Sequence, residues 1–433
     1  MDIKLLKKKK FGMIALGCDK NRVEAEKMLG MVRDFGMEIV NKCEEADIVV
    51  VNTCAFLNVA RLEAINEIAI LCELKRAGKL EKIIVTGCFT KYKDSLNDEL
   101  SSFVDAFVPI IDGPNIIEVI SELYGVESGY HYKNLRLLTT PKHIAYLKIA
   151  DGCNNQCAYC TIPKIRGPYR SVPMEDLVQE ARYLAEQGVK ELIIVAQDVT
   201  RYGKDLYNQN KLIELLRQLE KVDGIQWIRL HYCYPEMVTD ELIDYIAKSK
   251  KVCKYIDVPL QHISDKILKS MFRRNTKQST YELIQKLQDK NIAIRSTFIV
   301  GFPGEGKAEF KELCKFLKDA KLDYVGFFDY SNEEGTRSFE YPDQVPAKIK
   351  EKRLKKVQKI QTKILKSKQK ALIGQTIPVI VDEMIDEGLA VGRTINNSYN
   401  VDTIIYVVGE TNVGDIINVK IEKIDGLELI GVC

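Results

Sequence analysis

Cys153, Cys157 and Cys160 stand in the run Asp-Gly-Cys-Asn-Asn-Gln-Cys-Ala-Tyr-Cys, a C-x3-C-x2-C spacing that puts three thiols on one short loop. Thiolate is the ligand that soft iron–sulfur clusters require, and a loop this tight can wrap three of them around one cube of iron and sulfide. Three protein ligands leave one iron open, which suits the binding of a small molecule better than plain electron transfer. A structural zinc site would call for a fourth Cys or His close by, and none follows in the sequence.

A second set is dispersed. Cys18, Cys54 and Cys88 lie in Gly-Cys-Asp-Lys-Asn, Asn-Thr-Cys-Ala-Phe and Thr-Gly-Cys-Phe-Thr, each just beyond an apolar run that reads as a buried strand. In a doubly wound sheet the carboxyl ends of neighbouring strands share one edge, where ligands collect. Three cysteines about 35 residues apart in sequence therefore converge into a second three-thiol site. The other six, Cys43, Cys72, Cys233, Cys253, Cys314 and Cys433, have no spacing pattern and are expected as small core residues.

The elements that must position these sites fall into three segments. Up to residue 125, Phe11–Leu16, Asp47–Val51 and Lys82–Thr86 read as strands, with helices at Arg22–Phe35, Phe56–Arg76 and near Asn97–Phe107. That alternation predicts an α/β domain, 9–125, built on a doubly wound parallel sheet. A polar stretch, 126–142, reads as a linker. Over 143–345 the alternation repeats with six candidate strands, Ile144–Ile149, Glu191–Ala196, Gln226–His231, Lys254–Val258, Ala293–Ile299 and Tyr324–Asp329. Six βα units predict a partial (β/α)6 barrel with its chemistry at the carboxyl ends of the strands. Residues 346–370 read as one basic amphipathic linker helix: between Lys348 and Lys370, eleven residues are Lys or Arg against the single acid Glu351. The last segment, 371–433, has five short β-rich runs separated by Gly, Asp and Asn, as in a small antiparallel, OB-like barrel. It holds ten acids against three bases, a net charge of about −7.

Composition excludes several classes. With 46% hydrophobic and 29% charged residues, and no apolar run long enough to span a bilayer, the chain reads as cytoplasmic and without a membrane partner. The start Met-Asp-Ile-Lys-Leu-Leu-Lys-Lys-Lys-Lys has no apolar stretch after its basic cluster and is not read as a secretory signal. Twelve cysteines in such a chain point to metal chemistry, not to a disulfide framework. The net charge of +3 carries no message about nucleic acid.

The first cysteine triplet, with an aromatic residue before its third member, resembles the radical S-adenosylmethionine superfamily. The resemblance implies that the open iron takes the amino and carboxylate groups of S-adenosylmethionine, and that one electron splits the sulfonium to release a 5′-deoxyadenosyl radical. It also implies that Tyr159 lies against the adenine. Ile299-Val-Gly-Phe-Pro-Gly-Glu305 resembles the superfamily's later glycine element, which makes Gly301 and Glu305 candidate cofactor contacts; on pattern alone it is equally a strand ending in a turn. No catalytic residue beyond the cluster ligands is expected. Arg273, Arg274 and Arg295 are candidates for holding the cofactor's carboxylate.

Both constellations, in this order and ahead of a small β domain, resemble the radical S-adenosylmethionine methylthiotransferases, whose last domain is of the TRAM type. LGCDKNRVEAE, VNTCAFLNVA, KIADGCNNQCAYCTIPKIRGPYRS, AQDVTRYGKDLY, VPLQHISDKILKSM and DYSNEEGT resemble the RimO branch, which modifies a ribosomal protein, more than the MiaB branch, which modifies a tRNA adenosine and has GCQMN where this chain has GCDKN. The resemblance implies two [4Fe-4S] clusters, S-adenosylmethionine, and C–H to C–SCH3 conversion at the β-carbon of an aspartate in small-subunit ribosomal protein twelve. In the family scheme the cluster on Cys18, Cys54 and Cys88 carries external sulfide or polysulfide; one S-adenosylmethionine methylates that sulfur and a second supplies the radical. A low-potential donor such as flavodoxin or ferredoxin, a monomeric state and no stable nucleic-acid binding are expected. The acidic last segment favours a basic protein substrate over tRNA, whereas the basic helix cuts the other way. Two departures stand out. Asn397-Ser-Tyr-Asn400 replaces the branch's APE-like turn after Gly392-Arg393-Thr394, and Ser171-Val172-Pro173 replaces its SRP. Rival readings are a tRNA methylthiotransferase, an iron–sulfur electron carrier, against which both open triplets speak, and a radical enzyme of unrelated chemistry, against which the first-segment cysteines speak.

Overall fold

The structure is a computed structural model in which residues 3–109, 115–131 and 135–433 are described. By its contacts the chain divides into two compact units. The first comprises Met1–Thr139 together with Gly152–Asn154 and Cys160–Pro168; the second holds Thr140–Asp151, Asn155–Tyr159 and Tyr169–Cys433.

In the first unit, strands β1 (Lys10–Ala15), β2 (Glu38–Ile39), β3 (Ile48–Thr53), β4 (Lys82–Gly87) and β5 (Ala106–Val108) form one sheet in the order β2-β1-β3-β4-β5. Every pairing is parallel. All six residues of β3 are buried, as a valine-rich strand covered on both faces must be. One face carries Ala64, Ile68, Leu71 and Phe89, with the helix Asn58–Arg76. The other carries Met28, Val32, Phe35, Ile117 and Ile120, from the helices Asp19–Phe35 and Ile116–Leu123. Helices on both faces make the sheet doubly wound, and its order places a topological switch between β1 and β3.

Two expectations need correction here. The helix read near Asn97–Phe107 stops at Phe103, where Asn97 caps its start, and Ala106–Val108 joins the sheet edge instead. The polar stretch read as a linker is anchored: Arg136, 2% exposed, forms a buried ion pair with Glu26, whose carboxylate also accepts from the Thr139 N–H at 2.8 Å. Residues 132–134 of that stretch lie outside the described residues.

The second unit is built on β6 (Ile144–Lys148), a short ribbon of β7 (Ala150–Asp151) with β8 (Arg170–Ser171), then β9 (Glu191–Val195), β10 (Trp227–Leu230), β11 (Val252–Asp257), β12 (Ala293–Val300) and β13 (Tyr324–Asp329). Its main sheet has six strands in the order β13-β12-β11-β10-β9-β6. All its pairings are parallel and each strand lies beside its sequence neighbour, the winding of an open (β/α)6 barrel. The helix Ala347–Ala371 follows. Strands β14 (Thr376–Asp386), β15 (Leu389–Thr394), β16 (Ile405–Val408), β17 (Ile416–Asp425) and β18 (Glu428–Val432) close a barrel in the order β14-β15-β16-β18-β17. Its pairings are antiparallel except β16 with β18, so the expected small OB-like barrel is present with one parallel seam.

The small barrel seats on the amino-terminal ends of the central strands. Ile380 packs with Trp227, Cys253 and Tyr255. Charges fill the rest of this joint. Glu191, the first residue of β9, accepts from Arg229 Nε at 2.7 Å and from Arg393 at 2.6 Å, and Arg393 also reaches Asp382 at 2.6 Å. Asp382 meets His143 Nε2 at 2.9 Å. Asp402 takes the Tyr255 hydroxyl at 2.8 Å and Arg295 at 3.3 Å. Burial alone would raise the Glu191 carboxyl, but its two guanidinium partners outweigh burial and hold it at about 2. Its stabilisation is therefore complete near neutral pH and is lost as pH falls from about 4.5 through about 2. Replacing Arg393 with Met keeps the volume but takes the shared guanidinium from two buried carboxylates, leaving Glu191 with Arg229 and Asp382 with His143. We expect it to cost about 3–5 kcal/mol in denaturant unfolding, with part recovered by the added Glu191→Gln change. Equal stability of Arg393→Met and the unaltered chain would refute this account of the joint.

Candidate metal centres

Cys18 follows β1, Cys54 follows β3 and Cys88 follows β4, so all three stand at carboxyl ends of adjacent strands, astride the switch point. Their convergence is direct. A Cβ on Gly17 would lie 2.6 Å from Cys54 Cβ, and burial raises the thiols of both Cys54 and Cys88, with Cys18 near enough to add to each shift. The Cys88 thiol is pushed up to about 11, chiefly by burial, against the pull of Arg166. Gly87 shows why glycine precedes Cys88: its φ is 92° and a Cβ there would sit 2.4 Å from the Thr53 carbonyl oxygen.

Asn21 stitches the loops together. Its amide donates to the Thr53 carbonyl at 2.8 Å and the Leu16 carbonyl at 3.2 Å, and the Asn52 amide donates back to the Asn21 carbonyl at 2.8 Å. The central feature is Arg166, 5% exposed. It donates to Glu24 at 2.6 Å and to Asn21 Oδ1 at 2.6 Å, and its Nε points at Cys88 Sγ from 3.3 Å. A buried cation fixed against a cysteine sulfur suits an anionic thiolate site. Cys88 and Arg166 also line a small cleft with Gly87, Thr90, Lys91, Pro109 and Ile165.

Arg166 closes the five-residue helix Ile162–Arg166, which begins two residues after Cys160. That segment is anchored in the first unit: Ile165 joins the core of the first sheet, and Thr161 Oγ1 donates to the Phe56 carbonyl at 3.2 Å. Cys153 lies in the same unit, its N–H donating to the Gly167 carbonyl at 3.1 Å. Gly152, at φ 76°, is required because a Cβ would meet the Pro168 carbonyl oxygen at 2.1 Å.

Within the second unit, Cys157 Sγ is 2.7 Å from the Tyr234 hydroxyl and 3.9 Å from Arg273. The Arg273 guanidinium stacks 3.8 Å over the Tyr234 ring and donates to the Pro259 carbonyl at 2.8 Å. Of the three candidate arginines, only Arg273 stands beside the cysteine loop: Arg295 is spent on Asp257 and Asp402, and Arg274 is exposed. Tyr159 meets Phe302 edge-on at 6.4 Å, so Tyr159 and the Gly301 element do come together. Glu305 braces that element from within. Its carboxylate accepts from the Gly301 N–H at 2.9 Å and Arg353 at 2.6 Å, and lies 3.4 Å from His262.

Two clamps went unread in the sequence. Arg166 is one. Asp198, wholly buried, is the other: it accepts from Asn155 at 3.0 Å and Thr200 at 2.5 Å, while Arg201 holds Asn155 from 3.0 Å. The only signal was their place in the quoted runs TIPKIRG and AQDVTRYG. Of the unpatterned cysteines, Cys72, Cys233, Cys253 and Cys314 are buried as expected; Cys43 is half-buried and Cys433 is exposed, because it ends the last strand.

Among the described residues, no set of three His, Cys, Asp or Glu side chains is gathered about a single-ion position. A cube whose ligands each bind a different iron calls for wider spacing, and an all-thiol donor set of three fits it.

The comparisons agree with this class. Residues 147–317 match the Radical SAM superfamily model, 10–108 match "Uncharacterized protein family UPF0004", and 373–433 match the TRAM domain. The fold is similar to the radical S-adenosylmethionine methyltransferase TsrM from Kitasatospora setae, at TM-score 0.55 and 14% identity over 73% of this chain and 72% of that one. These matches define a radical S-adenosylmethionine enzyme, which uses [4Fe-4S] and S-adenosylmethionine. Curated relatives called "Ribosomal protein uS12 methylthiotransferase RimO" are 43% identical in Clostridium acetobutylicum, 44% in Clostridium kluyveri and 40% in Clostridioides difficile, each covering 98% of both chains. The chain belongs to the RimO family of radical S-adenosylmethionine methylthiotransferases.

A hydrogen bond and a positive charge at a ligand sulfur favour the reduced, more negative cluster. Arg166→Gln, combined with Glu24→Gln to avoid a stranded carboxylate, is expected to lower the midpoint potential of the first-unit cluster in an EPR-monitored titration. Arg166→Lys should stay closer to the unaltered value. An unchanged potential at full iron content would show that Arg166 serves packing alone.

Proposed function

We propose that this chain inserts a methylthio group at the β-carbon of an aspartate in ribosomal protein uS12. The observation that carries the reading is the convergence of Cys18, Cys54 and Cys88 at the carboxyl edge of the first sheet, in a family member whose sequence also carries the Cys153, Cys157 and Cys160 spacing. Cys153, Cys157 and Cys160 hold the cluster that serves S-adenosylmethionine, and Cys18, Cys54 and Cys88 hold the auxiliary one. When bound, the two clusters supply, respectively, the electron for cofactor cleavage and an open iron for sulfur. The protein's part is placement. Asn155, clamped by Asp198 and Arg201, sets the loop that carries Cys157. Arg273 keeps a cation beside that sulfur, and Arg166 does the same at Cys88. Tyr159 and the Gly301 loop, stiffened by Glu305 and Arg353, frame the cofactor.

The small barrel bears on the substrate. Of its ten acids, Asp382 and Asp402 are consumed by the joint and Glu428 accepts from the Ile404 N–H, but Glu383, Asp386, Glu387, Glu410, Glu422 and Asp425 are exposed. An acidic surface attracts a basic ribosomal protein and repels a free polyanion. No helix among the described residues is long and apolar enough to cross a membrane. The reading takes the enzyme as a cytoplasmic monomer fed electrons by a flavodoxin- or ferredoxin-type donor and sulfur from external sulfide or polysulfide.

The test is anaerobic reconstitution, then turnover with reductant, sulfide and S-adenosylmethionine, offering uS12 and tRNA in parallel and weighing both by mass spectrometry. A methylthio mass increment on the uS12 aspartate is expected, and modification of tRNA alone would overturn the reading. Cys54→Ala should remove the auxiliary cluster while S-adenosylmethionine cleavage persists. If cleavage disappears with it, the division of labour between the two sites is wrong.

A further inference from the structure

The helix Ala347–Ala371 carries eleven basic residues, and the structure sorts them into two groups. Three turn inward. Arg353 binds Glu305 at 2.6 Å, Lys350 donates to the Tyr330 carbonyl at 2.6 Å, and Lys368 reaches Asp323 at 2.5 Å. The other eight, Lys348, Lys352, Lys355, Lys356, Lys359, Lys363, Lys366 and Lys370, are all exposed. At 100° per residue these eight fall within an arc of about 100°, and they run for about 33 Å at roughly one lysine every 5 Å. Opposite them, Val357, Gln361 and the partly buried Ile360 and Ile364 face the fold. One acid, Glu351, pairs with Lys355 at 2.5 Å; among the described residues the other seven of the eight lysines have no acidic partner.

Such a stripe is not the usual solvated face, on which Glu and Lys alternate at i,i+4 and support the helix. Here Lys348–Lys352, Lys352–Lys356, Lys355–Lys359, Lys359–Lys363 and Lys366–Lys370 are like-charged i,i+4 pairs, each of which weakens the helix. The adjoining helix Lys307–Ala320 adds to the positive field with exposed Lys311 and Lys318, its Glu309, Glu312 and Asp319 being taken by Lys266, Lys277 and Lys315. The stripe also lacks the exposed apolar and aromatic residues that a membrane-surface helix places beside its basic face; Ile349 is the only strongly exposed apolar residue on it.

We infer that this stripe is a phosphate-backbone contact for RNA, which docks the enzyme on uS12 already held in a ribonucleoprotein. The inference rests on the uS12 reading and names the form in which that substrate is presented. It fits the segregation of charge along the second unit: exposed acids on the small barrel face the basic protein, and a straight row of lysines faces the polyanion that surrounds it. The contact reads charge and not sequence, so it is weak, salt-sensitive and without base specificity. Such a transient contact is compatible with the expectation of no stable nucleic-acid binding.

The test uses the reconstituted full chain and its Lys352→Gln/Lys359→Gln/Lys363→Gln/Lys366→Gln variant, checked for unchanged iron content and helicity. Binding to a blunt RNA duplex is measured across a salt series, with anionic phosphatidylserine vesicles as the competing surface. The expected result is duplex binding whose log–log salt slope falls by about one per lysine removed. In turnover, the variant should modify free uS12 at the unaltered rate and uS12 within small-subunit particles severalfold more slowly. An unchanged salt slope, tighter binding to the vesicles than to the duplex, or equal loss on both forms of uS12 would overturn the inference. The duplex measurement needs no turnover, so it judges the stripe even if uS12 proves not to be the substrate.

Discussion

The organisation of the first unit depends on one buried guanidinium. Arg166 enters from the segment that follows Cys160 and ends on Glu24, Asn21 and the Cys88 sulfur. A buried charge must be paired and hydrogen-bonded or it destabilises the fold, and here the partners are the residues that shape the cysteine loops. Glu24 neutralises the cation, Asn21 passes its position to Thr53 beside Cys54, and Cys88 receives the remaining N–H. The same side chain that fixes the register of the segment after Cys160 therefore sets the field at the other cysteine set. Geometry and electrostatics cannot be tuned separately in such an arrangement.

The second unit solves a different problem with the same chemistry. At the edge opposite the carboxyl ends of its six central strands, Glu191 and Arg229 lie with no access to water. Arg393 of the small barrel donates to Glu191, and the Ile395 carbonyl accepts from Arg229. The binding of the last domain is thus specified by charge pairing inside an apolar ring of Trp227, Ile380 and Tyr255, so its seat allows few alternatives.

How much of this was legible in the sequence follows from what each feature requires. The six central strands announced themselves as apolar runs because strands covered on both faces need them. Glu38–Ile39 and Ala106–Val108, being two or three residues at sheet edges, show no period and went unread. The anchoring of Arg136 on Glu26 was invisible because an ion pair 110 residues apart has no local signature. The approach of Cys18, Cys54 and Cys88 to one another was readable, from their position after successive strands. Arg166 and Asp198 were not, since their work is to hold other residues and nothing in an isolated Arg or Asp says what it will reach. The acidity of the last segment was overcounted, because two of its acids are internal.

The joint at Glu191 has a consequence for how this architecture can be rearranged. A small β domain that served only as a handle could be exchanged between relatives by cutting at the helix before it. Here the incoming domain would have to bring an arginine at the position of Arg393 and a carbonyl at that of Ile395, or the buried Glu191 and Arg229 would each lose a hydrogen bond. The recognition module and the catalytic sheet are in that sense one inheritance: a change of substrate surface can proceed on the outer faces of β15, β16 and β18, while the inner face of the module remains bound to the chemistry beneath it.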